Sequence, residues 1–522
     1  MDARSRSNAL VVPGLVALVV VGAVAVPLLG AIRTLGGGIA GTATVAVIAL
    51  AVGVLVHGRA VWRAPILWFT VAFSVLFVAR PMADRSLGDV ERQFGISIGA
   101  TYGRALGLCA VGLLAFVVGY LVAGGRPRRS LAPPDPPIEV VRARSRRAAL
   151  VCGGLFLAFL ALNGGPGLLL QFFRGRSVVT GTALQSSSGY LYTAPLWLYP
   201  LGLYIYLRER FAEPLPHRRR RPGFGIALMV ASQIATVGVG DRSYFVPAAL
   251  GFLVARQAAR AKAPRVAAVL AVGAGLVVVG ILLPLNYRAN EVSGGRLGAA
   301  IEVTRDQLSS KPWLVPLQGQ DTAMARNLAI EVGVIPQGVP YAKGRSYLAA
   351  LARPVPRQVW PGKKPRSADE ELNDVLLFRQ LGIPAGFAFS FFGEPYYNGG
   401  LIGVVLVSAL VGAVSRRFFE HTFRRGEPLR HSTLTLYAAS LPMLIVYMRG
   451  GLGVDYQRHA FVTVPLIVVL ALARAQAKRG RSRKAAYAGL VRSRSESRGV
   501  LVGQSSARSG SSHATPSSSA GS

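Results

Sequence analysis

The segment at residues 387–401, FAFSFFGEPYYNGGL, holds one carboxylate, Glu394, between a glycine and a proline, and follows it with Tyr396, Tyr397 and Asn398. A carboxylate so placed can take the proton of a hydroxyl, as a general base. Tyrosine rings can stack on pyranose faces, and tyrosine and asparagine can hydrogen-bond sugar hydroxyls. The plainer reading is a carboxylate favoured by the dipole of a helix about to begin, beside tyrosines of an interfacial belt. Both readings stay open at this point. A second group of residues is cationic. Arg242 sits in the turn Gly240, Asp241, Arg242, Ser243 between two short apolar segments. It either pairs with Asp241 or lipid phosphates, or lies in a cavity and binds an anion. Arg288 follows an apolar segment; Arg357, Lys363 and Lys364 flank Trp360 in ARPVPRQVWPGKKP (352–365); Arg449 and Arg458 bracket a short connection. Singly, each reads as a lipid-head-group or structural contact. As a set they form a cationic surface suited to a pyrophosphate, whose oxygens arginine binds in bidentate fashion. His459, at the end of the last apolar segment, is either a proton shuttle or a structural boundary residue.

The motifs that would bring a metal or nucleotide are missing from the sequence. It has no paired carboxylates of the DxD kind in these segments, no HExxH, no Cys/His cluster, no Walker loop and no dinucleotide fingerprint. No cofactor and no metal are expected, so the energy of any reaction has to come from an activated substrate. The two cysteines, Cys109 and Cys152, fall in separate apolar segments and predict no disulfide.

The elements that must position these residues are membrane helices. Of 522 residues 52% are hydrophobic and only 16% charged, and the mean hydropathy is +0.42, with the apolar residues in long blocks. A formal charge of +36 would suggest nucleic acid in a soluble protein. Here the basic residues sit between apolar blocks, which excludes that reading. Blocks long enough to cross about 30 Å of hydrocarbon lie at 9–31, 39–56, 61–79, 101–123, 148–170 and 189–207. Further blocks, several of them shorter, lie at 223–238, 244–255, 266–285, 399–414, 434–448 and 461–473. The fold class is therefore all-α, a polytopic integral membrane protein with about twelve transmembrane helices. Its first block reads as an uncleaved helix rather than a secretory signal.

Four basic segments, 126–147, 218–221, 256–265 and 416–425, fall on one side for that span count, which makes it the cytoplasmic side. The N-terminus and the tail come out cytoplasmic as well. The predicted organisation is N-terminal transmembrane helices over 1–285 (about nine spans), a long extracytoplasmic loop over 286–398, C-terminal helices over 399–475 (about three), and a disordered basic tail over 476–522. Within the loop, Leu297, Ile301, Thr304 and Leu308 recur at helical spacing, as do Ala325, Leu328, Ala329 and Val332, and Leu372, Val375, Leu376 and Arg379. These stripes predict amphipathic helices lying on the membrane. Arginine-rich, lysine-poor usage with abundant alanine, glycine and valine points to a bacterium.

The topology, the turn at Gly240 to Arg242, the segment PRQVWPGKKP (356–365) and the segment GEPYYNGGLIG (393–403) opening a late span are together similar to the Wzy-type O-antigen and exopolysaccharide repeat-unit polymerases. The similarity covers most of 9–473. What the resemblance implies is transfer of a growing glycan from undecaprenyl pyrophosphate onto a sugar hydroxyl of another lipid-linked repeat unit, at the outer face of the cytoplasmic membrane. Arg242 and Arg288 would stabilise the departing pyrophosphate, and Glu394 or His459 would take the acceptor proton. The implied partners are the lipid-linked oligosaccharide substrate, membrane lipids, a chain-length regulator and a flippase, with no nucleic acid. The competing readings are an O-antigen ligase and a lipid-linked oligosaccharide flippase.

Overall fold

The structure is a computed structural model describing residues 34–86, 92–93, 96–125, 134–162, 165, 194–212, 223–238, 245–260, 297–310, 317, 322–352, 360, 371–372, 388, 390–424 and 427–507. In chain order the helices are α1 (Leu35–His57), α2 (Pro65–Ser86), α3 (Gly99–Val122), α4 (Ile138–Leu162), α5 (Leu198–Phe211), α6 (Gly223–Gly238), α7 (Phe245–Ala259), α8 (Leu297–Ser310), α9 (Met324–Val334), α10 (Arg345–Ala352), α11 (Ser390–Thr422), α12 (His431–Ser440), α13 (Met443–Gly450) and α14 (Leu452–Ala507). Among the described residues the only ladder is a small antiparallel one, β1 (Arg92–Gln93) with β2 (Ile96–Ser97). The described fold is thus all-helical but for that turn. Among the described residues five helices, α1 with its 3-10 extension to Arg63, α2, α3, α4 and α11, are long and apolar enough to cross a membrane. The blocks expected at 9–31 and 266–285 lie outside the described residues.

The centre of the bundle is α3, buried along most of its length and packed between α1 and α11. Small residues permit that closeness. A Cβ at Gly119 would meet the backbone of Ala409, and one at Gly412 would meet the carbonyl of Phe116, so the α3 and α11 backbones touch where neither has a side chain. Aromatic rings fill the other end of the same seam. Phe69 stacks on Phe116 with centroids 3.8 Å apart, and Phe391 and Phe392 meet Phe69, Phe73 and Phe77 mostly edge-on. This cluster fixes the start of α11 just before Glu394.

Several expectations change. α9 is a helix, as its stripe predicts, but it does not lie on a surface. Every residue from Met324 to Glu331 is buried, because the helix inserts between α3 and α11 and so is covered on all sides. The block at 434–448 is two helices, α12 and α13, parted at Pro442, whose missing N–H cannot continue a helix. The connection expected at 449–459 shrinks to the turn around Gly451, and α14 begins at Leu452. That helix then runs through Ala507, into the stretch expected to lack order.

Polar contacts gather at two opposite ends. At one, α9 and α10 cover the start of α11 and the α13–α14 turn. At the other, Arg63 lies 4.5 Å over the Phe423 ring, Arg416 pairs with Glu420 at 2.7 Å, and Arg142 pairs with Glu209. Asp135 caps α12 there, accepting the amides of His431 and Ser432 at 3.0 and 3.2 Å.

Candidate active site

The first turns of α11 carry the site. Ser390 has a left-handed φ of 74°, and its hydroxyl oxygen accepts the Gly393 amide at 3.2 Å. Phe391 and Phe392 then plug the aromatic cluster, and Glu394 follows with only 2% of its surface exposed. Its position differs from the expected one. Glu394 lies within helix, with Pro395 beside it, and the break comes after it, at Gly399 and Gly400. Gly400 has φ 60° and packs under the Tyr341 ring, a conformation and a closeness that suit glycine.

Both carboxylate oxygens of Glu394 receive donors. The amide of Gly453 donates to Oε2 at 2.6 Å, and the Ser346 hydroxyl donates to Oε1 at 3.2 Å. A Cβ at Gly453 would run into Oε1, so glycine is what lets the α14 backbone come this close. Asn398 braces the arrangement from behind. Its Nδ2 donates to the Ser346 hydroxyl oxygen at 2.6 Å and to the Glu394 carbonyl at 2.8 Å, while its Oδ1 accepts the Gly344 amide at 3.0 Å. Both N–H groups of the Asn398 amide are used within the protein, so it clamps α10 to α11.

The two tyrosines are also built into the fold. Tyr396 donates to the Ile335 carbonyl at 3.2 Å and meets the Tyr341 ring at 6.2 Å between centroids. Tyr397 is buried, and its phenol hydrogen-bonds with Arg345 and Glu371. The Glu371 carboxylate beside it pushes the Arg345 guanidinium up from its ordinary value. Burial and then the Glu394 charge push the Tyr347 phenol well above its ordinary range.

His459 is not brought to the carboxylate. Its Nδ1 pairs with the Tyr447 hydroxyl at 2.6 Å and its Nε2 with the Ser440 hydroxyl at 2.7 Å, which binds α14 to α12 and α13. Arg449 ends α13, Arg458 lies in the opening turns of α14, and Trp360 is exposed. Arg242, Arg288, Arg357, Lys363 and Lys364 lie outside the described residues.

A buried ionic cluster that no sequence motif marks lies at the same end as Glu394. Asp84 accepts from Arg80 Nε at 2.8 Å and from the Tyr102 hydroxyl at 2.7 Å, and Arg326 Nε lies 3.1 Å from its other side. Arg80 also donates to Thr322 and to the Leu317 carbonyl. All of these groups close on the end of α2, the start of α3 and α9. Glu331, on the same helix as Arg326 and fully buried, has its carboxylate over Gly393, next to Glu394. The available signal was an arginine and an aspartate four apart at the end of an apolar block, and two charges inside an apolar stripe.

The arrangement offers an immobilised carboxylate, Glu394, on a rigid helix, and a carboxylate can accept a proton; the buried guanidinium groups of Arg80 and Arg326 at the same end are engaged by Asp84. Among the described residues no three His, Cys, Asp or Glu side chains group as a metal would require, and Cys109 and Cys152 are both free. Comparison with protein-family models, with curated proteins and with solved structures finds no match to this chain.

Proposed function

We propose that the protein polymerises undecaprenyl-pyrophosphate-linked oligosaccharide repeat units into a surface polysaccharide, at the outer face of a bacterial cytoplasmic membrane. The reading takes about twelve spans, with both termini cytoplasmic. In its support, Arg142, Arg208 and Arg416 lie at one end of the bundle and Glu394 at the other, and the basic segments 126–147, 218–221, 256–265 and 416–425 fall on the cytoplasmic side for that span count.

The observation that carries the reading is the buried, doubly held carboxylate of Glu394. In the reaction, an acceptor hydroxyl gives its proton to Glu394 while its oxygen bonds the donor's anomeric carbon. The bond from that carbon to the pyrophosphate oxygen breaks, and the electron pair leaves with the phosphate. Pyrophosphate is already a good leaving group, so Arg242 and Arg288 need only stabilise its developing charge. Neither nucleotide sugar nor cofactor enters this scheme. Membrane lipids, a flippase delivering the units and a chain-length regulator are the partners it implies.

Depleting the protein in cells tests it against the two alternatives. Capped single repeat units with no polymer support a polymerase. Intact but unattached polymer would instead mean a ligase, and undelivered cytoplasmic units a flippase.

A further inference from the structure

α10 is anchored along its whole length. The turn before it, with Lys343 at φ 49° and Gly344 at φ 86°, delivers the Gly344 amide to Asn398. Arg345 pairs with Glu371, and the Tyr456 hydroxyl of α14 donates to the Ala350 carbonyl. A helix held this way can place side chains accurately.

Two consecutive residues of α10 bear on Glu394. Ser346 has one proton, and its oxygen already accepts from Asn398 Nδ2. The orientation of Asn398 is fixed in turn, because Nδ2 also serves the Glu394 carbonyl and Oδ1 takes the Gly344 amide. The Ser346 proton is therefore directed to Glu394 Oε1. Tyr347 comes next. Its hydroxyl is buried and has no hydrogen-bond partner among the described residues, and it lies near enough to feel the Glu394 charge. A buried phenol that keeps its proton beside a carboxylate site is a donor suited to an incoming oxygen.

We propose that Tyr347 binds the acceptor sugar, donating to an oxygen adjacent to the hydroxyl that Glu394 deprotonates, and that Ser346 is a positioning residue for the Glu394 carboxylate. This rests on the polymerase reading above. Tyr347 keeps its proton throughout, so the transfer step balances as already written.

The test uses the purified full-length protein in detergent. The donor is lipid-linked repeat unit extracted from cells lacking the protein. The acceptor is the same repeat unit on a short alkyl chain, which can accept but not donate. Tyr347→Phe should raise the acceptor KM about tenfold, the effect of one lost hydrogen bond, with the donor KM unchanged. Ser346→Ala should lower kcat by about tenfold or more with both KM values unchanged when the rate is counted per molecule of monodisperse folded protein, and Ser346→Thr, which keeps the hydroxyl, should restore it; an unaltered kcat in the alanine variant would refute the role. Acceptors lacking one hydroxyl at a time give an independent check. One of them should show the same rise with the wild type and be insensitive to Tyr347→Phe. If the wild type elongates the acceptor but Tyr347→Phe leaves its KM unchanged, or remains costly with every deoxy acceptor, the assignment is wrong while the polymerase reading stands. If the wild type elongates neither the alkyl-linked acceptor nor the lipid-linked repeat unit itself, the polymerase reading fails.

Discussion

The backbone amide of Gly453 donates to Glu394 across 2.6 Å, joining α14 to α11 through two residues 59 positions apart in the chain. The contact depends on the absence of a side chain, because a Cβ at residue 453 would meet the other carboxylate oxygen. Gly453→Ala should displace the carboxylate and lose a charged hydrogen bond of about 1.5–3 kcal/mol, a fall in polymer yield of about tenfold or more at normal protein level. Wild-type polymer from this variant would show that the amide does not set the carboxylate's position.

Asp84 is the shared counter-ion of Arg80 and Arg326, all three buried. Asp84→Asn leaves two guanidinium groups without that carboxylate in a site closed to water. A loss of about 3–5 kcal/mol is expected, the range for breaking a buried ion pair from one side. Thermal unfolding in detergent measures it. A Tm equal to that of the wild type would mean the cluster does not hold α9 in the bundle.

Asp135 gives a pH dependence at the opposite end. Burial works against its ionisation, but the hydrogen bonds from His431 and Ser432 and the Arg208 charge outweigh it, lowering the carboxyl from 3.8 to about 2. Its contribution is therefore fully present above the ordinary value and is lost as pH falls through about 2. Asp135→Asn should cost about 2 kcal/mol at neutral pH. The Tm gap to the wild type should close as the pH is lowered from about 4 to about 2; a gap that stays constant over that window would refute the linkage.

Much of this architecture is legible in the residues themselves. The apolar blocks at 39–56, 101–123 and 223–238 emerge as Leu35–His57, Gly99–Val122 and Gly223–Gly238, since block length and composition are local properties. Glu394 stands out as a candidate from its glycine and proline neighbours, although it lies within helix and not ahead of one. Its partners do not stand out, because Ser346 and Gly453 are distant in the chain and a serine or a glycine carries no mark of the carboxylate it will meet. Arg326 and Glu331 were hidden for a different reason. An apolar stripe at helical spacing looks the same whether the helix rests on a membrane or inserts into a bundle, and only the packing of α9 against α3 and α11 shows that both charges are enclosed. For His459 the position alone leaves a proton shuttle and a structural residue open, and its two nitrogens are engaged by Tyr447 and Ser440.

Arg242 and Glu394 answer for the two halves of the proposed chemistry, leaving-group charge and acceptor proton. Arg242→Ala and Glu394→Ala, each expressed at normal level, should give single repeat units with the ladder of longer polymers absent or severely shortened. A full ladder from either would remove that residue from the mechanism.

The most direct measurement is elongation of extracted lipid-linked repeat units by the purified protein, with no nucleotide sugar added and a chelator present. The account predicts a ladder of polymer from the wild type and a rate lower by about 10²- to 10⁴-fold for Glu394→Gln, the range for removal of a general base. Failure of the wild type to elongate under these conditions, or an undiminished rate from Glu394→Gln, would contradict it.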